Sequence, residues 1–205
     1  MSGPLARSLP LFPASNLDLH NVEATEVEYR GRRAVRLVEA AGGQGGEPLA
    51  IVPGTAFGDG VIEAEIAGVP RGEALEYSRG FVGLAFRVQP GGAAYECIFL
   101  RPTNGRADDQ LRRNHTTQYM AVPEYPWNRL RQEHPGVYES YVDLEPGAWT
   151  TIKLVVAGER ALLYVHGAAQ PCLVVNDLKL GTTQGQIALW VGSGSDAYFA
   201  SVAVR

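Results

Sequence analysis

The residues able to do chemistry in this chain crowd into one stretch, from position 101 to position 139. Arg101, Arg106, Arg112, Arg113, Arg129 and Arg131 place six of the sixteen arginines within 31 positions. Asn104, Asp108, Asp109, Gln110, Asn114, His115, Tyr119, Tyr125 and Trp127 are interleaved with them. Guanidinium groups among amides and aromatic rings can fix anionic or polyhydroxyl ligands by charged, often paired hydrogen bonds. The competing reading is a self-satisfied network, in which Asp108 and Asp109 tie down Arg112 and Arg113. His115 is the histidine embedded in the cluster; it titrates near neutrality and could remove a sugar-ring proton, or it could simply orient the loop. Glu139 follows on a strand-like stretch. With Glu65 it would make the carboxylate pair of glycoside hydrolysis if the two lie about 5–10 Å apart. His115, Glu139 and Glu65 are therefore the catalytic candidates.

A second set of candidates comes from strand alternation. If Ile62, Ala64 and Ile66 face a core, Glu63 and Glu65 face away from it, and Val82, Leu84, Phe86 and Val88 likewise leave Arg87 on the other side. Tyr95, Cys97, Phe99 and Arg101 share one parity. Ile187, Leu189 and Val191 read as core, which leaves Gln186, Ala188 and Trp190 on the opposite face. An indole can cover the apolar face of a pyranose while forked cations take paired hydroxyls. The expected ligand contacts are Arg87, Tyr95, Arg101, Asn104, Gln110, Arg113, Tyr119, Trp127, Gln186 and Trp190. Cross-strand ion pairs on a solvated sheet would explain Glu63, Glu65 and Arg87 equally well.

Several chemistries lack their residues. There is no His-Glu-x-x-His, no phosphate loop and no Gly-x-Ser-x-Gly. Gly192-Ser193-Gly194-Ser195-Asp196 reads as a turn between strands. Cys97 and Cys172 are too few for a zinc site or a disulfide framework, and Cys97 reads as a buried thiol. Only His115, Asp108 and Asp109 are near one another as metal ligands, so no metal and no cofactor are expected. A net charge of −4 argues against nucleic acid, although arginines with aromatics can stack on single strands. No run approaches the ~20 apolar residues of a membrane helix, so no membrane partner is expected. The start, Met1 to Pro13, has no secretory pattern, and the expected location is cytoplasmic unless a leader has been removed. The expected partner is a small molecule or oligosaccharide; the oligomeric state is not legible.

The elements that must position these residues are short strands. Glycine and proline together number 37 of 205 residues, an excess that favours turns. Val22–Tyr29 and Ala34–Val38 flank Arg30-Gly31 as a hairpin. Gly42–Gly46 reads as a glycine-rich loop. Further strands are expected at Leu49–Val52, Val61–Ala67, Phe81–Val88, Tyr95–Arg101, Tyr138–Leu144, Trp149–Ala157, Ala161–Val165, Cys172–Val175, Gln186–Val191 and Tyr198–Val204. The best helical segment is Trp127–His134 behind Pro126. This predicts an all-β chain, one domain over 1–205, with two antiparallel sheets packed as a sandwich and a long inserted loop around 102–136.

Phe57-Gly58-Asp59-Gly60-Val61-Ile62-Glu63-Ala64-Glu65 and Gly80-Phe81-Val82-Gly83-Leu84-Ala85-Phe86-Arg87, with the strand led by Tyr95-Glu96, resemble early strands of concanavalin A-like lectin/glucanase jelly rolls. Trp149-Thr150-Thr151-Ile152-Lys153, Ala161–Gly167, Gly185–Trp190 and Ala197–Val204 resemble their later strands. The resemblance runs from Leu49 to the C-terminal end of this sequence, and by pattern it is closest to the laminin-G-like and keto-disaccharide hydrolase branches. It implies a curved sandwich with a ligand site on its concave sheet, in proteins that mostly handle carbohydrate. The Glu-x-Asp-x-x-Glu strand motif of the glucanases is missing; Glu63-Ala64-Glu65 is the nearest match. Two functions follow as expectations: a glycoside hydrolase or lyase, or a noncatalytic carbohydrate-binding module.

Overall fold

The computed structural model describes residues 6–41, 48–72 and 76–205. The expected loop at Gly42–Gly46 lies outside these. In chain order the strands are β1 (Arg7–Ser8), β2 (Asp18–His20), β3 (Val22–Tyr29), β4 (Arg32–Glu39), β5 (Leu49–Phe57), β6 (Gly60–Pro70), β7 (Val82–Val88) and β8 (Tyr95–Leu100). Helix α1 (Gln110–Asn114), β9 (Thr117–Val122), helix α2 (Trp127–Glu133) and β10 (Glu139–Ser140) follow. The chain continues through β11 (Thr150–Ala157), β12 (Arg160–Val165), β13 (Leu173–Val175), β14 (Gly185–Val191) and β15 (Ser195–Val204). The β3–β4 hairpin forms as its sequence suggests. Arg30 and Gly31 take φ of 45° and 74°, the left-handed pair that matches strand twist.

Two antiparallel sheets result. One runs β13-β12-β11-β6-β15-β4-β3, with β1 also on β15; the other runs β10-β9-β8-β7-β14-β5-β2. Ile62, Ile66, Leu154 and Phe199 from the first sheet, and Val82, Leu84, Ile98 and Leu189 from the second, are buried in one apolar cluster. The outer face of the first sheet is polar: Glu63 and Glu65 of β6 lie opposite Lys153 and Thr151 of β11. The second sheet differs, because every residue of β7 and β8 is buried. Its outer face is covered in part by α2, which packs on β9 and whose Leu130 is fully buried.

The segment 102–136 corrects the sequence expectation. Expected as a long loop carrying one helix, it also holds a strand, since β9 pairs with β8 along six residues from Tyr95↔Val122 to Leu100↔Thr117. Thr117–Val122 is buried on both faces apart from its last residue, so polar and apolar types do not alternate. The period-two signal depends on one wet face. Helix α2 begins at Trp127 as expected, with Pro126 at its N-cap. The strand expected at Tyr138–Leu144 shrinks to Glu139–Ser140.

Candidate functional site

The outer face of the second sheet carries a row of side chains in strict register. Trp190 of β14 lies opposite Gly83 of β7, Gly83 opposite Phe99 of β8, Phe99 opposite Gln118 of β9, and Gln118 opposite Glu139 of β10. Gly83 is what allows the aromatic part of this row to close. A Cβ there would stand 2.5 Å from the Phe99 Cβ. Without one, the Phe99 and Trp190 rings meet at 4.7 Å between centroids. Phe81 adds an edge-on contact to Phe99 at 6.2 Å. These rings line a groove of about 550 Å³, a volume suited to a small ligand. Trp127, at the start of α2, is 41% exposed and forms another part of the lining.

The polar side of the groove is built around Glu139. Arg131 Nε donates to both of its carboxylate oxygens, at 3.1 and 3.0 Å, and Arg131 Nη2 donates to Oε1 as well. Arg101 Nη1 donates to Glu139 Oε1 at 3.3 Å and to the His115 carbonyl at 3.1 Å, and its Nη2 donates to Gln118 Oε1 at 3.0 Å. The Arg101 guanidinium lies 4.8 Å from the Phe99 centroid and 5.5 Å from that of Trp127; Arg131 is 4.8 Å from Trp127. Burial, and then Arg131, pulls the Arg101 pKa down to about 9, so it is still a cation at neutral pH. Asn104 donates to the His115 carbonyl at 3.2 Å. His115 itself lines the groove, with Nε2 3.5 Å from Glu139 Oε2. Burial outweighs the pull of Glu139 and keeps its pKa below the ordinary histidine value, which leaves the ring neutral near pH 7.

Of the residues expected from sequence, the structure brings His115, Arg101, Asn104, Trp127 and Trp190 to the groove. Glu139 sits directly behind them. Glu65 does not join it: it is on β6 in the other sheet, where it pairs with Arg32. The cross-strand ion-pair reading holds for Glu65. Arg87 is also misplaced by alternation. A bulge between β7 and β14 puts its φ at 54° and turns the side chain into the fold. There it is fully buried and donates to the carbonyls of Gly58, Gly158 and Gly181 and to Asp59.

The remaining candidates lie elsewhere. Tyr119 has the core-facing parity of Ile98, and its hydroxyl donates to buried Glu96 at 2.5 Å. Tyr95 and Gln186 are each four residues along their strands from Phe99 and Trp190, roughly 13 Å away. Gln110 bonds to Asn114 on the exposed face of α1, and Arg113 donates to Tyr141 and stacks on its ring. Asp109 does not hold a guanidinium; it caps α1 by accepting from the Arg112 backbone N–H.

Sequence reasoning missed Arg79, Phe81, Tyr77 and Glu39 as lining residues. Arg79 and Phe81 belong to a short connection before β7. It is pinned by Ser78, whose hydroxyl meets that of Ser195 at 2.8 Å, and by the Phe81 N–H donating to Ser195 Oγ. Their one signal was the apolar Phe81 beside two glycine-bounded turns. Arg112 and Arg131 were seen as cluster members, but nothing in the spacing marked them as lining the groove.

No protein-family model matches this chain, and no curated protein matches it in sequence. Solved structures do match it. The carbohydrate binding module CBM66 from Bacillus subtilis superposes with a TM-score of 0.63 at 12% identity, covering 93% of this chain and 96% of the module. A Bacillus licheniformis beta-glucanase gives 0.53 at 14% identity, over 100% and 99% of the two chains. A lectin from Bauhinia forficata in complex with GalNAc gives 0.51 at 12% identity, over 98% and 96%. The chain has the fold of the concanavalin A-like lectins and glucanases, a jelly-roll sandwich.

Proposed function

We propose that the groove on the second sheet binds carbohydrate, and that binding without hydrolysis is the function its geometry favours. The observation that carries this is the aromatic lining of Trp190, Phe99 and Trp127 beside the Arg101, Asn104 and His115 wall. Rings accept the C–H faces of a sugar, and fixed donors and acceptors take its hydroxyls. Structural likeness to a carbohydrate binding module and to a lectin supports the same reading. The hydrolytic alternative needs two carboxylates across a bond. Glu65 is on the other sheet, and both Glu139 oxygens are occupied by arginine. A second reading rests on His115, a neutral imidazole on the groove wall backed by Glu139, which suits a proton-abstracting lyase.

A glycan array followed by titration calorimetry tests the first reading. Trp127→Ala should weaken the best glycan by about 1–3 kcal/mol, and it should leave folding intact because the residue is 41% exposed and lies outside the buried apolar cluster. Failure to bind any glycan would overturn it. Product chromatography on the same glycans, oxidised keto-sugars included, tests the second. Turnover that falls about a hundredfold in His115→Ala would establish an enzyme, and turnover absent from every glycan would exclude one.

A further inference from the structure

Several surface arginines have carboxylate partners. Arg32 pairs with Glu65, Arg33 with Glu26, Arg106 with Asp143 and Glu145, and Arg129 with Glu133. Arg79 and Arg112, like Arg7, Arg30, Arg71, Arg113 and Arg160, form no ion pair with a described carboxylate, and it is their place in the groove that sets these two apart. Both line the groove, one from the connection before β7 and one from α1, and no carboxylate among the described residues lies within 4.0 Å of either guanidinium. They are close enough that Arg112, after burial, depresses the Arg79 pKa. Arg79 is nonetheless fixed, since its Nη1 donates to the carbonyls of Glu76 and Ser78, each at 3.0 Å.

The carboxylates among and directly behind the lining residues are outnumbered by the arginines. Glu139 is shared between Arg101 and Arg131, and Glu39 is the one acidic side chain among the described lining residues. The groove therefore holds an excess of two positive charges among the described residues, in a chain whose net charge is −4. Like charges held together in a partly desolvated cleft are unfavourable until an anion enters, and a concave site concentrates their field. Two planar forks also match the geometry of a carboxylate or a sulfate.

Resting on the carbohydrate reading above, we propose that the ligand is an acidic glycan, its carboxylate or sulfate held between Arg79 and Arg112 while a sugar ring lies on the aromatic floor. Four probes of matched backbone test this: an oligogalacturonate and its methyl ester, and a sulfated galactan oligosaccharide and its desulfated form. At low salt an acidic member should bind at least about tenfold more tightly than its neutral counterpart. Which of the two acidic probes wins separates carboxylate from sulfate. Arg79→Gln and Arg112→Gln should each remove about tenfold or more of that preference with an unchanged melting temperature. Raising the salt should weaken the acidic probe and leave the neutral one unmoved. Equal binding of acidic and neutral partners, or a preference that survives both substitutions, overturns the acidic assignment and leaves the sugar site standing. If no probe binds while the glycan array returns neutral hits, the acidic assignment again falls alone. Silence from both probes and array removes the carbohydrate reading with it.

Discussion

Glu139 accepts from Arg101 and Arg131 at once, and that geometry decides what the residue can do. Arg101 is only 4% exposed, so without Glu139 it would remain as a buried cation facing a second cation. Glu139→Ala should therefore cost about 3–5 kcal/mol, measured by urea unfolding, whereas Glu139→Gln keeps an acceptor and should cost less. A loss below about 1 kcal/mol in the alanine variant would show that the pair contributes little. Glu96 presents the opposite case, a carboxylate in the core. Burial raises its pKa above 4.5, against the hydrogen bonds from Tyr119 and the Leu180 N–H. The folded state thus holds this proton more tightly than the unfolded chain. Its contribution to stability is complete below the ordinary carboxylate range and is lost as pH rises through the raised value. Urea midpoints followed upward from pH 4.5 should fall across that window, and Glu96→Gln should flatten the slope.

At the scale of elements, the site depends on how α2 and β7 are seated. Leu130 anchors α2 with no exposed surface, although it is not among the groove-lining residues. Leu130→Ala should cost about 2–5 kcal/mol and also weaken ligand binding, because Trp127 and Arg131 ride on the same helix. Calorimetry on the folded variant at low temperature would separate the two effects. Gly83→Ala should be comparably damaging, since its Cβ would meet the Phe99 Cβ at 2.5 Å and the Ile98 carbonyl oxygen at 2.6 Å. Overpacking of this kind typically costs about 1–3 kcal/mol. Sequence patterns predict elements well where one face is wet. β6 alternates over its first half and the β3–β4 hairpin is marked by Arg30-Gly31, so both are legible. They fail in β9, which is buried on both sides and opens on the polar Thr117 and Gln118 where β7 and β8 are mainly apolar, and at Arg87, where a bulge reverses parity. For the same reason the site is half legible. His115, Arg101 and Trp190 stand out by type, while Arg79 is brought in by a connection whose position depends on Ser78 and Ser195, 117 residues apart.

At the scale of the molecule, the sandwich is closed by β14 and β15. β14 lies between β7 and β5, and β15 lies between β6 and β4, so each sheet has its late strand in the middle. During synthesis, a chain that has not yet reached residue 185 leaves β7, β5, β6 and β4 with unpaired backbone along four inner edges. Neither sheet can finish before its late strand emerges. The groove inherits this timing, because Trp190 arrives with β14 and completes the row begun by Phe99. Ribosome-bound chains stalled at residue 184 should be sensitive to protease throughout, and the same fragment released should aggregate through its open edges. Chains stalled so that residue 205 has cleared the exit tunnel should become resistant in one step. For a cell making this protein, the inner edges stay open from the emergence of β4 until β14 and β15 follow, and the demand for chaperones falls in that interval.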